Sequence, residues 1–291
     1  MTGKRFVKDF RVAPGDHVRL RDFDPGYRGK YHKHEALEKV EDLRLKMGDL
    51  QQRLFAERKR SLLIVLQALD AGGKDGVIRH VIGSMNPDGC RVANFKQPTQ
   101  EELAHDFLWR VEAPTPGRGE VAIFNRSHYE DVLIVRVHNL VPKSVWSSRY
   151  DQINDFEHRL DLNGTHILKF FLHISKEEQL QRFEQRLDDP AKRWKISDAD
   201  YKEREYWNDY HRAYEDAFAR CNSKEAPWYV IPADHKWFRD LAISEIIVST
   251  MEEMNFQVPQ PSVDIAEVRR KYHSAIAEGT HRSKPRKPQK R

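Results

Sequence analysis

Ala71-Gly72-Gly73-Lys74 stands directly behind the apolar run Leu62–Leu66. Small residues and a lysine at the end of a buried strand can turn backbone N–H groups and an ammonium toward one anion. Strand, glycine turn, lysine and then an apolar helix from Val77 to Met85 make the pattern of a phosphate-binding P-loop. The usual form is GxxxxGK[ST]; here Ala68 occupies the first glycine position and Asp75 replaces the hydroxyl residue that holds Mg²⁺. The metal then has to be held by carboxylates. Asp70 lies within the loop, and Asp131 ends Asn125-Arg126-Ser127-His128-Tyr129-Glu130-Asp131, which follows the apolar run Val121–Phe124. Two acids that follow the first and third strands of one open sheet should both open onto the crevice at the strands' carboxyl ends, so Asp70 and Asp131 are the expected ligands of Mg²⁺ (or Mn²⁺), with Glu130 close by. Phosphoryl transfer asks a protein chiefly for positive charge and placement. Lys74, Lys96 and Arg126 stand at strand ends, and Arg182 and Arg186 lie four apart on one helix face before Lys192, Arg193 and Lys195. Arginine forks on such a segment can grip phosphate oxygens and close over them as a lid.

These residues need a scaffold. Apolar runs at Leu62–Leu66, Val121–Phe124, Ile167–Ile174 and Trp228–Ile231, with the short stretch Arg91–Phe95, read as five strands. Helical segments separate them, which predicts an α/β three-layer sandwich: a five-stranded parallel sheet with helices on both faces. Leu37, Val40, Leu43, Met47, Leu50 and Leu54 recur every three or four residues, predicting a helix over His34–Lys59 with one apolar stripe. Thr99 reads as the N-cap of a helix over Gln100–Val111, Ser175 caps the next helix after the fourth strand, and Trp237–Glu253 closes the domain. Met1–Gly29 reads as an irregular arm. The domain plan is therefore an arm at 1–34, a catalytic domain at 35–258 with its lid at about 180–212, and a basic extension at 259–291. Its end, His281–Arg291, is rich in lysine, arginine and proline and is expected to be disordered.

The chain has 291 residues, enough for one sizeable core, with 39% hydrophobic and 33% charged residues. No run approaches the ~18 apolar residues of a membrane helix, and the first residues lack a secretory apolar segment. Cys90 and Cys221 are far apart in sequence and suit reduced thiols in a cytoplasm. Fifty Lys+Arg against 45 Asp+Glu favours polyanions as partners.

Taken together, Asp70–Gly76 (DAGGKDG), Phe124–Asp131 (FNRSHYED), the segment from Gln181 to Asp200, and Ala226–Lys236 (APWYVIPADHK) resemble the polyphosphate kinase 2 family. The resemblance covers roughly Leu37 to Ser249. It implies a P-loop kinase-like fold and Mg²⁺-dependent transfer of phosphate between inorganic polyphosphate and nucleotides. It also implies metal-binding roles for Asp70 and Asp131 and phosphate contacts from Lys74 and Arg126. Arg182 and Arg186 would stand on the lid. Ala71, Gly72, Gly73, Asp75, Gly76, Lys96, Asn125, Glu130 and Lys236 complete the expected phosphate and nucleotide surface. Many relatives acting on nucleoside diphosphates carry DRSWYNR where this chain has NRSHYED; the version here resembles the subgroup that also phosphorylates AMP. Expected partners are polyphosphate and AMP, ADP or ATP, in a homo-oligomer that engages neither nucleic acid nor membrane. Two rival readings remain: an ATP-dependent nucleotide or small-molecule kinase of the same fold, and a non-catalytic polyanion-binding module.

Overall fold

The computed structural model describes residues 3–282. In chain order the elements are α1 (Gly3–Phe10), α2 (Lys33–Glu57), β1 (Ser61–Gln67), α3 (Lys74–His80), β2 (Cys90–Asn94), α4 (Gln100–Ala104), α5 (Trp109–Glu112), β3 (Val121–Asn125), α6 (Ile134–Val137), α7 (Lys143–Leu162), β4 (Thr165–His173), α8 (Lys176–Asp188), α9 (Asp198–Glu203), α10 (Trp207–Arg220), β5 (Trp228–Pro232), α11 (Lys236–Glu253) and α12 (Ile265–Arg282). The five strands form one parallel sheet in the order β2-β3-β1-β4-β5. β1 is central, paired with β3 and β4, and helices cover both faces of the sheet, so its residues Leu62–Leu66 have no exposure at all. All chain crossovers are helical, as parallel neighbours require. The side chains of Lys169 and Phe171 project from β4 toward α7 and α10. On the opposite face α11 packs against α2, with α1 and α3 beside it.

Two local departures from expectation have physical causes. The expected arm is irregular over most of 11–29 but opens with a helix: α1 puts Phe6 and Phe10 into an aromatic cluster with Tyr27, Tyr31 and Phe238. The chain then runs along β5, where Val12 N–H donates to the Trp228 carbonyl (2.9 Å) and Arg11 forms a single antiparallel bridge with Tyr229. The helix expected over Gln100–Val111 is broken. Thr99 and Glu102 do form a capping box, but the Asp106 carboxylate accepts from the Leu108 N–H (3.0 Å), and that local turn outcompetes the helix between α4 and α5.

Met1–Gln257 make one compact unit and Val258–Arg291 a second. The second contains α12, a helix not anticipated from composition, with Glu267 and Lys271 paired one turn apart (2.6 Å). Of the expected disordered tail, residues beyond Arg282 lie outside the described part. Among the described residues no helix is long and apolar enough to cross a membrane.

Candidate active site

β1 delivers the loop. After Gln67 the chain turns sharply, with Gly72 N–H bonded to the Leu69 carbonyl (3.0 Å). A Cβ on Gly72 would stand 2.4 Å from that of Ala68, so the turn closes only because this position is bare. Ala71 (φ +57°) and Gly73 (φ +104°) both adopt left-handed conformations, which bend the backbone around a hollow before α3 begins at Lys74. The helix thus starts earlier than expected and stops at His80, where Val81, Ile82 and Gly83 pass into a short 3-10 turn. The Lys74 ammonium, half-buried, folds back to the Ala68 carbonyl (3.0 Å). Burial, and next the neighbouring Arg126 charge, lower its pKa to about 8.

β3 delivers the second wall. Arg126 takes a left-handed backbone conformation (φ +63°), uncommon for a residue with a side chain, and its N–H is tied to the Leu66 carbonyl of β1 (3.0 Å). That conformation aims its guanidinium back over the loop, where it meets Asp70 (3.1 Å) and Glu130 (3.5 Å). Glu130, and Asp70 as well, raise the Arg126 pKa and keep the charge in place. Asn125 donates to Asp75 (3.2 Å) and to Asn94 on β2 (2.9 Å). Burial pushes the Asp75 carboxyl upward, but the bonds from Lys195 and Asn125 outweigh it and the net shift is downward.

The turn carrying Arg126 is anchored from below by a buried ionic cluster. Lys169 Nζ donates to Glu157 (2.6 Å), to the Tyr129 hydroxyl (2.9 Å) and to the Cys221 carbonyl (2.8 Å), while the His128 ring meets Glu157 at 3.2 Å. All four side chains are buried, so their partners replace water almost completely. Burial lowers the His128 pKa and raises that of Tyr129.

The expected residues largely converge. A crevice of about 1530 Å³ is lined by Asp70, Ala71, Gly72, Gly73, Lys74, Asp75, Gly76, Lys96, Asn125, Arg126, Arg182, Arg186 and Lys236. Glu130 faces a small neighbouring pocket that shares Asp70 and Arg126 with the crevice. Arg182 is placed differently from a mobile lid residue: it is 5% exposed and donates to the loop carbonyl of Ala71 (2.8 Å) while pairing with Glu178 (2.7 Å). It braces the loop from within α8. Arg186 bonds the Lys195 carbonyl (3.0 Å), and Lys195 reaches Asp75 (2.9 Å), so the stretch after α8 spans toward the loop.

Asp131 requires a correction. Its carboxylate pairs with Arg149 of α7 (3.0 Å) and lines neither the crevice nor the small pocket. Burial raises its pKa to about 6, against the pull of Arg149. Successive residues of a 3-10 turn point about 120° apart, so the turn His128–Asp131 can present only one of its adjacent acids to Asp70, and that one is Glu130.

No cluster of three or more metal-ligating side chains occurs among the described residues. Mg²⁺ rarely uses such a cage; it takes one or two carboxylates and fills its shell with phosphate oxygens and water. Asp70, 29% exposed at the crevice floor with Glu130 beyond Arg126, fits a metal carried in on a phosphate chain.

Sequence reasoning missed Gln179, which fixes the Asp70 carbonyl (2.8 Å), and Arg239, buried against the loop glycines. The one signal for Arg239 was a charged pair, Arg239-Asp240, directly ahead of the mainly apolar stretch Leu241–Val248.

A family model for polyphosphate kinase 2 matches residues 30–259. An AMP/ADP-polyphosphate phosphotransferase of Meiothermus ruber is 51% identical over 88% of this chain and 96% of its own. An ADP-polyphosphate phosphotransferase of Rhodopseudomonas palustris is 46% identical over 87% and 92%. The crystal structure of polyphosphate kinase 2 from Arthrobacter aurescens superposes with a TM-score of 0.88 at 40% identity, covering 94% of this chain and 96% of that one.

Proposed function

The chain belongs to the polyphosphate kinase 2 family, and we propose that it transfers the terminal phosphoryl group of inorganic polyphosphate to AMP and ADP, giving ADP and ATP. The observation that carries this reading is the crevice itself. One floor joins a glycine loop, Lys74 and the Asp70–Arg126 pair, and a row of cations extends from it over Arg186, Lys192, Lys195 and Lys236. A linear chain of phosphates needs a long cationic wall, whereas a lone γ-phosphate does not.

In this reading the phosphate chain lies along that wall with its terminal group in the loop. Lys74 exchanges the Ala68 carbonyl for a phosphoryl oxygen, and Arg126 holds the oxygens that gain charge as the transfer proceeds. An acceptor phosphate oxygen attacks in line: one P–O bond forms, the bridging P–O bond breaks, and the chain leaves one unit shorter. The acceptor is already largely ionised near pH 7 and needs no base, so Asp70 is assigned to the metal, with Glu130 nearest to assist. Bound Mg²⁺ would neutralise phosphate charge on the Asp70 side. The stretch from Arg186 through Lys195, bridged to Asp75, serves as the lid that excludes water. The Asn125–Asp131 sequence, and the 51% identity to a relative named for both AMP and ADP, support acceptance of the monophosphate as well.

The test is a luminescence assay of ATP formed from ADP, and of ADP formed from AMP, with long-chain polyphosphate and Mg²⁺. Turnover with polyphosphate supports the proposal. Turnover only when ATP is the donor would replace it with an ATP-dependent kinase.

A further inference from the structure

Arg239 packs against a loop it does not belong to. It lies in the first turn of α11, 2% exposed, and its guanidinium is pressed against the bare faces of two loop glycines. A Cβ on Gly73 would sit 2.1 Å from its Nη1, and one on Gly76 would sit 3.0 Å from its Nη2. Nε and Nη2 both donate to one oxygen of Asp240 (2.8 and 2.7 Å). Nη1 has no acceptor among the described residues, and what little of Arg239 is accessible opens into the crevice. Arg182 approaches the same glycine, its Nη1 3.5 Å from the position of that Cβ, and spends its own bonds on Ala71, Ala233, Asp234 and Glu178.

A buried guanidinium with an unused N–H fork is costly unless an anion completes it. Here the unused donor lies against Gly73 of the loop, and Arg239 lines the crevice. We infer that Arg239 is a phosphate ligand: its Nη1 donates to an oxygen of the phosphoryl group cradled by Gly72–Lys74. Gly73 is bare because the arginine needs that space. This inference rests on the phosphate-chain reading of the crevice, and it adds a residue that no loop motif contains.

Isothermal titration with inorganic tripolyphosphate, at fixed Mg²⁺ and over a range of KCl, separates a ligand from a mere counterion of Asp240. Removing Arg239 alone would strand a buried carboxylate, so the informative comparison is Asp240→Asn against the double variant Arg239→Gln/Asp240→Asn. A ligand role gives the double variant an affinity at least about tenfold weaker than Asp240→Asn, the size of a lost charge-assisted bond, with a shallower salt dependence. Equal affinity of the two overturns the inference. Should the double variant fail to fold by thermal melt, Arg239→Lys decides: one ammonium can pair with Asp240 but cannot also reach Gly73. It should bind about tenfold more weakly, and wild-type affinity would overturn the inference. Wild-type protein that fails to bind tripolyphosphate sinks the phosphate-chain reading itself, whereas tight wild-type binding with unaffected variants removes only Arg239.

Discussion

Replacing Lys74 by methionine keeps the length of the side chain and deletes its charge. The ammonium lies half-buried at the foot of the loop, 3.0 Å from a carbonyl it can exchange for a phosphoryl oxygen. A donor aimed at developing charge in such a site is worth roughly 2.7–4 kcal/mol, so kcat should fall about 10²–10³-fold. The pKa of about 8 adds a second arm. The charged form is the active one, so activity is lost as pH rises. At pH 9 only roughly a tenth of the free enzyme carries the ammonium, and kcat/KM should drop to about that fraction of its plateau. Lys74→Arg, charged at every accessible pH, should lose rate but show no such fall. Bound polyphosphate favours the ammonium, so binding at pH 8 should take up close to half a proton, read from titrations in buffers of different ionisation enthalpy. Initial rates of ATP formation at polyphosphate well below its KM, from pH 6.5 to 9.5, give the rest. A methionine variant within about threefold of wild type, or a pH profile unchanged by Lys74→Arg, would refute the assignment.

The two acids should part company. Asp70→Asn is expected to lower kcat by about 10²-fold or more with normal folding. Asp131→Asn should keep kcat within about threefold, and a large loss there would restore Asp131 to the site. Because burial lifts the Asp131 pKa to about 6, the native state holds that proton more tightly than the unfolded chain. Its contribution is present below about pH 4 and fades as pH rises through 6, on the order of 3 kcal/mol, and Asp131→Asn should flatten that part of the denaturation profile. Gly73→Ala meets both a left-handed backbone and the Arg239 fork, so it should cost about 1–3 kcal/mol in chemical denaturation and more than tenfold in kcat/KM; a silent substitution would mean the loop is not built as described. Lys169→Met strands Glu157 and should destabilise by about 3–5 kcal/mol, measured as a lowered urea midpoint, with an unmoved midpoint denying the buried cluster its anchoring role.

Much of this architecture was legible because burial leaves a mark in composition. β1, β3 and β4 are apolar runs since both faces of each are covered, and the loop glycines announce a bend that other residues cannot make. What escaped was decided by tertiary contact. Phe6 and Phe10 look like scattered aromatics until Phe238 supplies their partner from the far end of the chain. Leu37, counted into the apolar stripe of α2, is 50% exposed at the crevice, while Ala36 beside it is buried in line with Val40, Met47, Leu50 and Leu54. Asp131 read as the metal ligand ahead of Glu130 because the choice turns on the left-handed bend at Arg126 and the tight turn after it, which the sequence does not display. Arg182 read as a lid residue because its four-residue spacing from Arg186 is shared by surface and buried helix faces alike; only the carbonyls of Ala71, Ala233 and Asp234 show which it is.

The central claim is that the glycine loop and Asp70 jointly cradle a metal-bound phosphate chain. Anomalous diffraction from crystals soaked with Mn²⁺ and tripolyphosphate tests it most directly. The account predicts a manganese peak beside the Asp70 carboxylate, with a phosphate group seated between Gly73, Lys74 and Arg126. A peak at Asp131, or a phosphate chain lying outside the loop, would contradict it.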